Sequence, residues 1–173
     1  MKKFLPLLLI LISSIFIFSC KDDDDDYVDV NVDYPTVYDV KTNLVQNATN
    51  DFGYFDQFNG TLLDQDIVLM YRKNNPTESS PIWEPLPKSY FFGSNSMDYT
   101  FNFSKTDFEI RLNSDFDLTV QNNDFKTTYL NGQTFRIVLV PAVFGKNAVD
   151  PRTLSYEEVI AKYNIDDSKV DKL

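Results

Sequence analysis

The sequence predicts an antiparallel β-sandwich, Ig-like or jelly-roll-like, closed by one short C-terminal α-helix. Three observations carry this expectation. Apolar and polar residues alternate in three successive runs, 99–103, 108–112 and 116–120, the period of a strand with one face buried. Strand-like runs recur about every 8–12 residues with Asn, Gly, Pro or Ser between them, the spacing of sandwiches and barrels. Aspartate outnumbers glutamate 21 to 5; Asp favours turns and is depleted in helices and strands, as a loop-rich β protein requires.

In chain order, residues 37–45 form a candidate strand, and 53–58 hold three aromatics before a turn at Asn59-Gly60. Ile67-Val68-Leu69-Met70-Tyr71 is continuously apolar, as in a strand covered on both faces. Residues 74–81, rich in Asn, Pro and Ser, read as a surface loop, and Ser89-Tyr90-Phe91-Phe92 reads as a strand closed by Gly93. Tyr99, Phe101 and Phe103 share one face, as do Phe108, Ile110 and Leu112, and then Phe116, Leu118 and Val120. The turn Asn131-Gly132 leads into the apolar run 135–140. Near the end, Ser155 and Glu158 make a capping box, with Leu154 and Val159 placed as a hydrophobic staple. Tyr156, Val159, Ile160 and Tyr163 then form one apolar stripe, which predicts a helix over about 155–164 docked on the sandwich. Residues 166–173 lack periodicity and are expected to fray.

The 173 residues suit one domain. Histidine is absent and Cys20 is the single cysteine, which removes His-based acid–base chemistry, Cys-His and Ser-His-Asp nucleophiles, intrachain disulfides and nearly every zinc or copper site. A formal charge of −10 argues against nucleic acid as a partner. The five glycines form no phosphate-cradling cluster, so no nucleotide site is expected. Asp29, Asn31 and Asp33 mimic the start of a calcium loop, but Tyr34 stands where that loop needs glycine and Val40 where it needs glutamate. The Val28 to Asp33 alternation reads instead as an extended segment or edge strand. Three Asn-X-Ser/Thr triplets, at Asn47, Asn59 and Asn102, read as coincidental. Neither a cofactor nor a fixed metal site is expected.

Two other features were weighed for chemistry. Carboxylate pairs such as Asp64/Asp66 and Asp115/Asp117 could hydrolyse glycosides, and i and i+2 on a strand face the same way; with so many acids, such pairs also arise as ordinary solvated surface. Trp83, the sole tryptophan, lies in Ile82-Trp83-Glu84-Pro85-Leu86-Pro87 and could stack on a sugar or a proline-rich partner. The favoured reading is that it caps one end of the sandwich core.

Lys2 and Lys3 precede an apolar stretch from residue 4 to 18, shorter than a comfortable membrane span and placed as a secretory signal. With Ile17-Phe18-Ser19-Cys20, a small residue directly before a cysteine, the segment resembles a bacterial lipoprotein signal, although Phe18 is bulkier than that pattern's usual residue. An uncleaved N-terminal anchor is the competing reading. The resemblance implies cleavage before Cys20, diacylation of its sulfur and acylation of its new amino group. Cleavage would remove Lys2 and Lys3 and take the formal charge from −10 to −12. So acidic a chain is held at a membrane by acyl groups and not by a basic patch. Lys21-Asp22-Asp23-Asp24-Asp25-Asp26 looks like the export tag that sends lipoproteins to the cell surface in one large Gram-negative group. As five like charges in a row, the run is also an extended spacer and at most a loose Ca²⁺ ligand.

With Trp83-Glu84-Pro85-Leu86-Pro87, the aromatic strand 99–103 and the run 135–141 before the capped helix, the chain resembles a family of small, uncharacterised surface lipoproteins of that group. Some relatives carry the label dihydrolipoamide dehydrogenase, which this chain contradicts: it has no redox Cys pair, no GxGxxG loop and no room for two nucleotide domains. The expected organisation is a signal peptide over 1–19, a lipidated Cys20 with an acidic spacer over 20–34, and one sandwich domain over 35–173. The expected function is that of a lipid-anchored, non-catalytic structural or interaction module on the outer membrane, meeting the membrane through acyl chains on Cys20, with a surface protein or glycan as the candidate partner beyond it. A glycan-binding accessory protein and a carboxylate-based hydrolase are the alternatives.

Overall fold

The β-branched and aromatic runs pair into two five-stranded sheets. The computed structural model describes residues 37–64, 66–74, 81–140 and 149–172. Cys20 with the segment before it, residues 21–26, the alternation at 28–33 and residues 75–80 of the predicted surface loop lie outside these.

The first sheet holds β1 (Val37–Thr42), β4 (Ile67–Asn74), β5 (Ile82–Pro85), β9 (Gln133–Val140) and β10 (Asp171–Lys172), in the order β10-β1-β9-β4-β5. The second holds β2 (Val45–Ala48), β3 (Asp51–Gln57), β6 (Lys88–Phe92), β7 (Asn95–Phe103) and β8 (Asp107–Ser114), in the order β2-β3-β8-β7-β6. Every pairing is antiparallel except that of β1 with β10. Between the sheets lies the main core: Tyr38, Val40, Val68, Met70, Phe135, Ile137 and Leu139 from the first meet Phe52, Met97, Tyr99, Phe108, Ile110 and Leu112 from the second. These are the inward positions of each strand, and their burial is the dominant stabilising term.

The first sheet is covered on its other face as well. Val37, Leu69, Tyr71, Val138 and Val140 pack against Tyr156, Val159, Tyr163 and Ile165, where helix α2 (Tyr156–Lys162) lies over the sheet. This explains why residues 67–71 read as a continuous apolar run and 135–140 as a near-continuous one, broken only by Arg136: both faces of the sheet are covered. The α2 capping box is present in full, with Glu158 N–H donating to the Ser155 hydroxyl and the Glu158 carboxylate accepting from Ser155 N–H. Leu154 and Val159 both belong to the packed layer, as the staple requires.

Three strand expectations are corrected. Residues 37–45 are not one strand; the chain leaves the first sheet after Thr42, crosses at Asn43-Leu44 and joins the second as β2. Residues 116–120 form a turn. There the Asp117 carboxylate accepts from Thr119 N–H and its hydroxyl, a local bond that competes with any sheet ladder. Leu118 is buried and Val120 is 75% exposed, so the apolar alternation marks one anchor and not a strand face. Finally, residues 166–173 do not all fray: Asp166 organises a turn, and Asp171 and Lys172 pair with Tyr38 and Asp39 of β1.

A helix without a sequence expectation, α1 (Asn123–Tyr129), follows the 116–120 turn. Asn122 caps it by accepting from Phe125 N–H at 2.8 Å. Phe125 and Tyr129, one turn apart, pack with Phe92 and Phe116 over the end of the core.

Candidate functional site: an open side of the sandwich

The described polar chemistry is concentrated at two arginines, and both are structural. Arg72 closes the apolar run of β4 with its side chain pointing into the core, 2% exposed. All five guanidinium N–H groups have acceptors: Nε and Nη2 donate to Gln133 Oε1 at 3.0 and 2.7 Å, Nη2 also to Thr128 O at 2.5 Å, and Nη1 to Tyr90 Oη at 2.9 Å and Glu84 Oε2 at 3.5 Å. The rings of Tyr90, Tyr99 and Tyr129 surround it, with centroids 5.0–5.6 Å away. Burial, and then its bond to Glu84, pushes the Tyr90 hydroxyl well above the ordinary tyrosine range. A tyrosine so shifted is the reverse of an activated nucleophile.

Arg136 does the same on the outer face. It grips Asp39 of β1 bidentately at 2.7 and 2.8 Å and donates to Tyr156 Oη at 2.6 Å, which donates in turn to Asp167. Its guanidinium lies 4.3 Å from the centroid of Trp83. Trp83 therefore does not cap the core between the sheets. It sits on β5 in the outer layer, half-buried against Arg136 and the Tyr156 ring, because its strand position alternates with inward-facing Glu84.

The carboxylate pairs also occupy turns. Asp115 accepts from Ser96 N–H at 2.9 Å, and Asp117 from Thr119, so this pair is not on a strand at all. The Thr119 hydroxyl and N–H hold the Asp117 carboxyl below its usual range, which favours the ionised form. Asp64 pairs with Lys105, and Asp66 accepts from Leu63 N–H. Among the described residues, no group of three or more His, Cys, Asp or Glu side chains could hold a metal.

Among the described residues, two half-strands without a pairing neighbour face each other along one side of the sandwich. There the chain passes from β5 to β6, and so from one sheet to the other, through Leu86-Pro87 alone. The β4–β5 ladder ends where Leu86 N–H donates to the Met70 carbonyl, and β6 starts only at Lys88, because the chain crosses between the sheets at this point. β5 covers β4 only from Tyr71 to Asn74, and β6 covers β7 only from Asn95 to Tyr99. The facing halves, residues 67–70 of β4 and 100–103 of β7, have no described strand on that side.

Strand parity gives the direction of their backbone groups. The Met70 carbonyl accepts from Leu86 N–H on the open side, so Val68, two residues earlier, presents its N–H and C=O to the same side. On β7, Ser104 N–H donates to Asp107 O across the β7–β8 hairpin. Asn102 and Thr100 therefore face β8, and Phe101 and Phe103 present their backbone groups to the open side. The rings of Phe101 and Phe103 stack with centroids 6.3 Å apart and planes 18° apart. Between the two edges lies a groove of about 530 Å³, lined by Val68, Phe101, Phe103, Asp66 and Arg152. It continues into an apolar cavity of about 210 Å³ under Leu86, Pro87 and Leu154, and at the other end into a hollow of about 230 Å³ beside Leu62 and Lys105.

Of the side chains that the sequence marks for chemistry, Asp66 lines this groove and Asp64 the hollow beside it. Trp83 lies on another face, and Cys20 with residues 21–26 lies outside the described chain. The Pro-Leu-Pro triplet was the readable signal, since two prolines fix the backbone where the chain crosses between the sheets in two residues. Phe103, 46% exposed at the end of a buried alternation, was the other. No protein-family model, curated protein or solved structure matches the chain.

Proposed function

We propose that this chain is a surface-displayed lipoprotein of the outer membrane, held through acyl chains on Cys20, and that its sandwich is a non-catalytic binding module whose contact surface is the groove on the open side. The observation that carries the binding reading is the pair of sheet edges without a described neighbour, at Val68 and at Phe101 and Phe103, facing one another across a groove. Exposed edges are a template for pairing, and folded proteins blunt them unless they are used. The anchoring reading rests on the sequence from Lys2 to Asp26. Among the described residues no helix is long and apolar enough to cross a membrane. The buried arginines and turn-bound carboxylates support binding over hydrolysis, because their hydrogen-bonding capacity is already used within the fold.

A second reading, a glycan-binding accessory protein, is favoured by one observation. Phe55 is 61% exposed on the outer face of the second sheet. Its cross-strand partner is Glu109, which accepts from Asn102 at 3.1 Å, giving an aromatic platform beside planar polar groups.

Metabolic labelling with a clickable fatty acid tests the anchor. Cys20→Ser is expected to abolish the label, because only the thiol attacks the diacylglyceryl donor to form the thioether; label retained in the variant overturns lipidation. Alanine at residues 22–26 is expected to keep the label but remove access to protease on intact cells, and unchanged trimming overturns the export role. Crosslinking on intact cells tests the module: Phe103→Arg is expected to lose adducts that wild type forms, and Phe55→Arg to lose them if the glycan reading holds.

A further inference from the structure

We propose that the open side accepts an extended polypeptide of a partner protein as an added strand on the free edge of β7, next to Phe101 and Phe103; this rests on the reading of the chain as a binding module and specifies its ligand class. The argument begins with backbone groups. Phe101 and Phe103 present two N–H and two C=O groups in a row at strand spacing, along the line that β6 would occupy had the chain not entered it only at Lys88. A sugar or a helix offers no matching row, whereas an extended peptide does. The added strand would place every second side chain over the stacked Phe101 and Phe103 rings, and one of them toward the apolar cavity beneath Leu86 and Leu154.

Charge narrows the partner further. Arg152 at the groove is bound to Asp150, with Nη2 at 2.8 Å from Oδ2, and Lys105 is bound to Asp64, so the two cations are locally neutralised. The whole chain carries −10. An acidic segment would be repelled, while a basic or uncharged one with alternating apolar side chains is complementary in both charge and period.

The test uses the full chain in detergent micelles and a synthetic peptide, acetyl-Lys-Val-Thr-Val-Thr-Val-Lys-amide, at about 1 mM, a concentration that reveals weak strand addition. Amide hydrogen exchange is read residue by residue. Strand addition predicts that the Phe101 and Phe103 amides slow by about tenfold or more, while the Asn102 amide, already in the β7–β8 ladder, changes little. Phe103→Pro removes one open-side donor and leaves the β8 ladder intact, so it is expected to weaken peptide binding about tenfold. Phe103→Ala serves as the control for loss of the ring. No binding at this concentration, binding without slowed exchange at Phe101 and Phe103, or equal affinities for Phe103→Pro and Phe103→Ala overturns the proposal. Protection that grows with protein concentration in the absence of peptide also overturns it, since the occupant is then a second copy. Each of these failures leaves lipidation and surface display untouched, because those are read by acyl label and protease access.

Discussion

At the scale of single residues, Arg72 shows how a buried charge becomes neutral to the fold. Its Born cost is offset because every guanidinium proton has an acceptor and three tyrosine faces surround it. The geometry is specific to the fork. Lysine brings the same charge but three donors on a single atom, which cannot reach Gln133, Thr128 O and Tyr90 together. Arg72→Ala is therefore expected to lower the unfolding free energy by about 3–5 kcal/mol, because it strands Glu84, Gln133 Oε1 and a backbone carbonyl. Arg72→Lys is expected to cost about 1–3 kcal/mol, as a partial loss of the same bonds. Urea unfolding followed by tyrosine fluorescence measures both. A lysine variant indistinguishable from wild type would mean that the charge and not the fork is what matters.

At the scale of elements, the amphipathic stripe on α2 predicts a graded response. Val159 is wholly buried beneath the helix, Ile160 is only partly covered, and Ser155 acts through the cap. Ser155→Ala is expected to cost about 0.5–2 kcal/mol, with Ile160→Asp above it and Val159→Asp highest, since a carboxylate there enters a layer of Val, Leu, Ile and aromatic side chains. Thermal melts give the order, and the reverse order would mean that the helix presents a different face to the sheet. Elements whose own pattern agrees with their packing were legible in this way: α2, the alternations of β7 and β8, and the doubly buried runs of β4 and β9. The misses have a common cause. Residues 116–120 carry a strand pattern overruled by the local bonds of Asp117. Residues 123–129 contain poor helix formers, and α1 exists because Phe125 and Tyr129 pack into the aromatic cluster, information that lies in distant residues. The groove was hidden for a related reason: it lies where no described strand pairs with residues 67–70 and 100–103 on the open side, visible only once both neighbouring strands are placed.

At the scale of the whole molecule, the tyrosines link the layers and set the response to pH. Tyr38, Tyr90 and Tyr99 lie in or against the core between the sheets, and Tyr71 and Tyr156 in the layer under α2. Burial is the first cause in each case and pushes all five above their ordinary value of 10, Tyr71 to about 12. Tyr54 is raised to about 12 by burial and by its bond to Asp56. The sign follows from linkage. Unfolded tyrosines release their protons near pH 10, whereas the folded ones hold them toward pH 12, so above pH 10 the unfolded chain binds fewer protons. Stability from these groups is fully present below pH 10 and is lost as the pH climbs from 10 toward 12. On the acid side, Asp117, Asp150, Asp166 and Glu158 are held below their usual values by surface hydrogen bonds from Thr119, Arg152, Ser168 and Ser155. Their contribution is present above the ordinary carboxylate range and fades as the pH falls through it, and it is weakened by salt as exposed electrostatics are. The expectation is a cooperative alkaline transition between pH 10 and 12, in which tyrosinate absorbance at 295 nm and loss of near-ultraviolet circular dichroism coincide. The midpoint should be nearly independent of salt, because burial and not surface charge is the leading cause. Tyrosines that titrate one by one near pH 10 with the dichroism intact would show that these rings are open to solvent and that the two packed layers are not as tight as their geometry indicates.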